Sequence, residues 1–368
     1  MKNRLTISLF LFGILNIVYY LVLYFGSNLI PFNRQNYYFG AHHYYFDQRT
    51  SGGPHSFLRS LGAWDAQWYL KIASNGYPRN PTLSDIKDKT IMDGLTYAFF
   101  PIYPAVLKTL NVIFGNLEVT SFILSNVMMF ANFISLYFLL KKYFGENVAL
   151  KANFLLWTFP FGVIFRSYYT ENLFLFFLIW FVYFLFSKKF LLAAIVLGMM
   201  NITRGSAFVL YFLYGYFLIR NKKILPLFIS LLPLVLWMVY CFSQTGNPLY
   251  FISVRTGWGG YPLFPFLTLI YPFLSGSPDG LFVMIFPILI YWVAKFIPQK
   301  FTAVSLSLLI PPVIFFMFPF ARSQIISFPL LIYPAMRLNR IGYIVVVSVQ
   351  FFLLCLLGLH FINWNWIG

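Results

Sequence analysis

The sequence predicts an all-α polytopic membrane protein, one integral bundle over residues 1–368 with about eleven transmembrane helices. Three observations lead there. Hydrophobic residues make up 60% of the chain and charged ones 10%, with a mean hydropathy of +0.75, whereas a soluble domain carries about 25% charged residues. Apolar runs long enough to cross hydrocarbon as helices, about 17 to 25 residues, recur along most of the chain. The Lys and Arg residues behind the net charge of +17 sit mostly in short clusters between these runs, as topology signals do. That charge is read as orientation plus attraction to anionic membrane lipids, which leaves no case for a nucleic-acid partner. Cys241 and Cys355 fall within or at the end of apolar runs, where they serve as packing residues and offer neither a disulfide framework nor a metal site.

The elements follow in order. Met1-Lys2-Asn3-Arg4 and the apolar run to about residue 25 form an uncleaved first span, because the run is too long for a signal peptide and no small-residue cleavage site follows. A long loop over about 31–118 comes next. Within it, Leu61, Trp64, Trp68 and Ile72 recur at helical spacing and Asn75-Gly76 stops the helix, which predicts a short amphipathic helix on the membrane surface. The stretch 100–115 opens with Pro101 and Pro104 and is short, so it is expected to be re-entrant or interfacial. Spans are then expected near 119–140, 147–165, 170–187, 190–203, 206–219 and 224–242. After a second loop over about 243–279 come 280–297, 302–319, 323–336 and 342–362.

Basic connections alternate with the others. Lys141-Lys142, Lys188-Lys189, the Arg220 to Lys223 cluster, Lys295 with Lys300, and Arg337 with Arg340 are assigned to the cytoplasm by the positive-inside rule. The unusual polar residues then fall together on the extracytoplasmic side, as a single active site requires. No internal repeat is evident, which disfavours a transporter built of inverted halves.

Three ionisable residues stand out. Asp65 is one of only nine acids. It is either a solvated charge on an interfacial anchor or a base in a helix's first turn, kept anionic by the helix dipole and able to accept a proton. Glu171 opens a wholly apolar run and is either a helix cap or a cavity-lining acid. Arg204 interrupts some 30 apolar residues and either ends two short helices or binds a phosphate bidentately. Arg166, Arg255 and Arg322 are further cations on the same face. Trp258, among Gly257, Gly259 and Gly260, stacks on a sugar or sits at the interface. His42, His43 and His55 lack metal-ligand spacing, and no phosphate-cradling glycine loop is present, which argues against a soluble nucleotide-sugar donor.

Trp64-Asp65-Ala66 with Ile72-Ala73 and Gly76-Tyr77, followed by Ala98-Phe99-Phe100-Pro101-Ile102-Tyr103-Pro104, resembles the signature of the PIG-V-type mannosyltransferases. These are GT-C-class membrane glycosyltransferases, related to the enzyme that adds the second mannose to GPI anchors. Tyr168 to Phe174, Thr203-Arg204-Gly205 and Thr245-Gly246-Asn247-Pro248-Leu249-x-Phe251 resemble later segments of the same family, in the same order. Thr170 stands where the family has serine, Gly205 where serine is common, and Asn247 where an acid is usual.

The resemblance implies a GT-C-type bundle whose long first outer loop carries amphipathic helices over a cavity. It also implies inverting transfer of mannose from a polyprenyl- or dolichyl-phosphate sugar to a lipid-linked or membrane-anchored acceptor, GPI-like or otherwise. Asp65 then takes the acceptor proton and Glu171 positions a substrate. Arg204 with Arg255 or Arg322 neutralises the lipid phosphate, and Trp64, Trp68, Tyr169 and Trp258 complete the substrate site. No cofactor beyond the donor lipid is expected, and no metal. The cell membrane of a prokaryote or a eukaryotic endoplasmic reticulum would be its location, with the site facing outward. A transporter or flippase of lipid-linked glycans is the competing class; its ionisable groups should lie at mid-span.

Overall fold

In a computed structural model of the chain, residues 2–39, 44, 46–81, 92–255, 274, 279–314 and 326–367 are described, and they contain helices and no strand. Helix α1 (Lys2–Gly26) leads into an outer segment with α2 (Arg34–Phe39), α3 (Phe57–Leu61), α4 (Ala66–Asn75) and α5 (Ile102–Phe114). Next come α6 (Leu117–Phe144), α7 (Glu146–Trp157), α8 (Val163–Arg166), α9 (Glu171–Phe186), α10 (Phe190–Asn201), α11 (Leu210–Arg220), α12 (Leu225–Thr245) and the single turn α13 (Tyr250–Ser253). The chain continues through α14 (Asp279–Phe296), α15 (Gln299–Ile314), α16 (Ile332–Arg337) and α17 (Arg340–Ile362).

Four of these helices, α1, α6, α12 and α17, are each long and apolar enough to cross a membrane. A fifth span arises only if α7 and residues 160–166 count as one, although they are bent by 72°. The other apolar helices, such as α9, α10 and α11, have 10–17 residues. At 1.5 Å per residue these reach about 15 to 25 Å, short of a hydrocarbon core of about 30 Å. Helix length among the described residues therefore supports four or five spans, against the eleven expected from hydropathy. One apolar run that reads as a span in sequence is cut in space, 147–165 at Trp157 to Pro160, while 206–219 begins as a tight 3-10 turn over Gly205–Val209 that continues into α11.

The bend after α7 shows how a broken helix survives in an apolar interior. Arg166 is fully buried; its Nη2 donates to the Trp157 carbonyl at 3.0 Å, Nη1 to Gly162 O at 3.0 Å and Nε to Asn16 Oδ1 at 2.9 Å. Its guanidinium also lies 4.9 Å from the Tyr19 ring centroid. Carbonyls freed by the break would be costly in a dry interior, and Arg166 supplies their donors. Arg166 is thus a structural staple, and the expectation that it joins the phosphate-binding cations is corrected.

A second correction concerns α4. It ends at Gly76, at φ 78°, as the Asn75-Gly76 signal predicted. It does not lie on a surface, however: residues 66–70 with Ile72 and Ala73 are buried, and α4 packs on α5 and α6. Trp68 stacks on Phe99, centroids 5.6 Å apart and planes 15° apart. The Leu61, Trp64, Trp68, Ile72 stripe is real in spacing but is divided: Leu61 ends α3, Trp64 lies in the sharp turn that follows, and Trp68 and Ile72 belong to α4.

Two apolar cores result. One, with Phe133, Trp157, Phe174, Phe181 and Phe301, fills the space among α6, α7, α9, α10 and α15. The other, with Tyr19, Trp68, Tyr97, Phe99, Trp237 and Trp364, lies beneath the outer segment. Leu173 belongs to the second core and Phe174 to the first, so the start of α9 stands at their junction. Glu171 is there.

Candidate functional site

The turn between α3 and α4 places Asp65 at the head of α4. Trp64 adopts φ 58°, a left-handed conformation rare for a bulky residue and costing roughly 1–3 kcal/mol. Asp65 follows as the N-cap of α4, yet its side chain makes no capping hydrogen bond. The fully buried Gln67 braces the turn: its Nε2 donates to Gly62 O at 2.6 Å, and its Oε1 accepts from the Tyr44 N–H at 3.1 Å. The tyrosines just before α9 grip the same stretch. Tyr168 donates its hydroxyl to Leu58 O at 2.8 Å and Tyr169 to Ala63 O at 3.3 Å. Residues more than a hundred positions apart in sequence are thereby locked into one unit.

Glu171, the first residue of α9, is completely buried and pairs with Arg204, Nη1 to Oε1 at 2.5 Å. A carboxylate inside an apolar bundle is tolerable only with such a partner, because desolvation costs several kcal/mol per ion. Arg204 sits in extended backbone, φ −157°, between the end of α10 and the 3-10 turn that begins at Gly205. The chain break that the arginine signalled in sequence is thus the device that presents it to Glu171.

Arg255 arrives from a different direction. Gly246, at φ 70°, ends α12, and Asn247 builds the next turn by accepting the Leu249 N–H on its Oδ1 at 2.9 Å. That turn launches α13, after which Arg255 comes close to Gly205. A Cβ placed on Gly205 would lie 2.9 Å from Arg255 Nη2 and 3.1 Å from the Phe100 ring. The absence of a side chain at 205 therefore makes room for the second guanidinium, and the Asn247 amide shapes the turn that leads to it. Burial, and then the neighbouring charge of Arg204, both lower the Arg255 pKa. The two guanidinium groups lie close enough to repel each other, a repulsion that a phosphate oxygen held between them would relieve.

Tyr69 connects these groups, and sequence reasoning passed it over. It lies four residues after Asp65, on the same helix face. Its hydroxyl is 3.4 Å from Thr170 Oγ1, and its ring packs edge-on against Phe99 and Tyr103 at 5.1 and 5.2 Å. Burial first, and the charges of Glu171 and Asp65 after it, raise its phenol pKa above the ordinary value, while Arg204 opposes them. Asp65, Glu171, Arg204 and Arg255 all act electrostatically within one neighbourhood centred on this ring or its immediate contacts. The i, i+4 spacing from the singular acid was the available signal.

The other expected site residues divide. Trp68 and Tyr169 are buried packing and bracing groups, and Trp64 is half-buried in an aromatic cluster; all three support the Asp65 turn. Arg322, Trp258, His42 and His43 lie outside the described residues. His55 is described: burial and the Arg49 charge bring its pKa down to about 4. Among the described residues no three His, Cys, Asp or Glu side chains group as metal ligands.

A groove of about 260 Å³ opens beside the site, lined by Tyr77, Pro101, Pro104, Lys108, Trp237 and Tyr240 among others. Trp237 and Tyr240 stack at 5.4 Å with planes 16° apart. Phe100 connects this wall to the cations, lying 6.5 Å from Trp237 by ring centroids while its ring edge also faces Gly205.

No curated protein and no solved structure matches the chain. Residues 100–245 match the family model described as dolichyl-phosphate-mannose-protein mannosyltransferase, a stretch that includes Glu171 and Arg204 and stops short of Asp65 and Arg255. Over that stretch the chain is similar to mannosyltransferases, and the match points to a membrane glycosyltransferase that uses a dolichyl-phosphate sugar.

Proposed function

We propose that the protein is a GT-C-class mannosyltransferase of the PIG-V type, which transfers mannose with inversion from a polyprenyl- or dolichyl-phosphate donor to a hydroxyl of a lipid-linked or membrane-anchored acceptor at the extracytoplasmic face. The observation that carries the reading is the convergence of Asp65, Glu171, Arg204 and Arg255 from four separate stretches around Tyr69.

The chemistry follows from the roles these groups can take. The acceptor oxygen attacks the anomeric carbon while its proton passes to the Asp65 carboxylate. The bond from the anomeric carbon to the phosphate oxygen breaks, and its electron pair leaves with the lipid phosphate, which gains negative charge. Arg255 and the outer part of the Arg204 guanidinium meet that charge, in the manner of fixed donors aimed at a leaving group. Glu171 holds Arg204 in orientation, a narrower task than the substrate positioning expected from sequence. The groove of Tyr77, Trp237 and Tyr240, one aromatic ring away from the arginines, suits the apolar part of the donor lipid.

The test is incubation of purified protein with polyprenyl-phosphate [³H]mannose and acceptor membranes. Label should move into a lipid-linked or membrane-anchored product, and Asp65→Asn should bind donor without transferring it. Absence of transfer by wild-type protein that binds the donor would defeat the reading.

A further inference from the structure

The segment that follows α17 reaches back to the turn carrying Asp65, and nothing in its sequence foretold this. Arg49, ion-paired to Asp47 at 2.8 Å, donates through Nη1 to Asn363 Oδ1 at 2.6 Å and through Nη2 to Ile362 O at 2.8 Å. Asn33 donates its backbone N–H to Asn363 O at 2.9 Å, and Asn363 Nδ2 donates to Ser27 O at 2.9 Å. Residues 362–363 are thereby fastened to the outer segment by four hydrogen bonds involving both ends of the chain's fold.

The fastening delivers two tryptophans to Trp64. Trp364 is buried between Tyr37, perpendicular at 5.0 Å, and Trp64, tilted at 5.4 Å. It too has a left-handed backbone, φ 60°. Trp366 meets Trp64 edge-on at 5.0 Å while 52% of its surface remains exposed. Trp64 is the residue whose own left-handed backbone sets the direction in which the chain enters Asp65. A strained backbone persists only where its surroundings hold it.

We propose that Trp364 and Trp366 are positioning residues for catalysis: they clamp the Trp64 indole, keep its backbone left-handed, and so hold the Asp65 carboxylate in its place at the head of α4, near Tyr69. The inference rests on the reading of Asp65 as the general base. Without the clamp, Trp64 relaxes toward ordinary backbone angles and Asp65 turns with it, while α4 itself, packed on α5 and α6, stays in place.

Trp366 is the position to vary, since it is half in solvent and carries none of the fastening hydrogen bonds. Trp366→Ala is expected to lower the kcat of mannosyl transfer by about 10- to 100-fold, the scale of an ångström-level misplacement. Donor binding and Tm should stay near wild type, and the acidic limb of the kcat–pH profile should move. Trp366→Phe, which keeps a ring edge against Trp64, should restore most of the rate, and Trp366→Leu, which keeps bulk alone, should not. Wild-type kcat in Trp366→Ala, or a loss accompanied by a lower Tm and an unmoved pH limb, overturns the clamp. Asp65→Asn is assayed in the same series. If it is inactive and Trp366→Ala is normal, the clamp fails and the base assignment stands; if Asp65→Asn is itself active, the base assignment fails.

Discussion

Replacing Gly205 by alanine adds one methyl group where two guanidinium groups approach. Gly205 does not have a left-handed backbone, so alanine brings no conformational penalty at that residue. The cost is spatial. The new Cβ would stand 2.9 Å from Arg255 Nη2 and 3.1 Å from Phe100 Cε2, whereas ordinary contact is about 3.5–4.0 Å. Phe100 is wedged against Phe251, at 5.6 Å, and Trp237 and has little freedom. Arg255 ends a flexible side chain, so it yields, by about 0.5–1 Å. The fold should therefore survive with Tm little changed, while the second cation is displaced from the phosphate position. A hydrogen bond to a charged group is worth about 1.5–3 kcal/mol, so donor affinity should fall by about 10- to 100-fold. Equilibrium binding of a fluorescent polyprenyl phosphate to detergent-purified protein measures this directly, with Tm as the control for folding. Wild-type affinity in Gly205→Ala would refute the argument that the missing side chain exists to admit Arg255, and would remove Arg255 from the phosphate site.

Three further outcomes follow from the same geometry. Asp65→Asn should retain donor binding and lose turnover by about 100- to 10,000-fold, measured as label transfer under saturating donor. Glu171→Gln should be destabilising by a few kcal/mol, at or below the roughly 3–5 kcal/mol of a fully buried pair because Arg204 is partly exposed, and should show as a lowered Tm in a detergent melt. His55 has a folded-state pKa of about 4 against 6.5 for the free side chain, so the unfolded chain binds the extra proton first. Its contribution to stability is complete above pH 6.5 and is lost as the pH falls from there toward 4. His55→Gln should flatten that part of a Tm–pH profile.

Composition and local chemistry were enough to reveal the helical membrane class and to single out the ions that the candidate site is built from. Asp65, Glu171 and Arg204 were conspicuous because a charge in an apolar chain is expensive wherever it lies. Gly76 marked the end of α4 for an equally local reason, its left-handed φ. Tertiary structure decided what the charges do. Arg204 and Arg166 look alike in sequence, each an arginine near the end of an apolar run. One faces Glu171, and the other is consumed by the carbonyls of a bent helix. Hydropathy and helix length count spans differently among the described residues, because hydropathy averages across breaks: an apolar run interrupted by a 72° bend keeps its mean but loses its reach. What Tyr69, Gly205 and Trp366 contribute was hidden for a common reason. A phenol close to Glu171, a missing methyl beside a guanidinium and a ring edge against Trp64 acquire meaning only from neighbours more than thirty residues away in sequence. Only the folded chain brings them within a few ångströms.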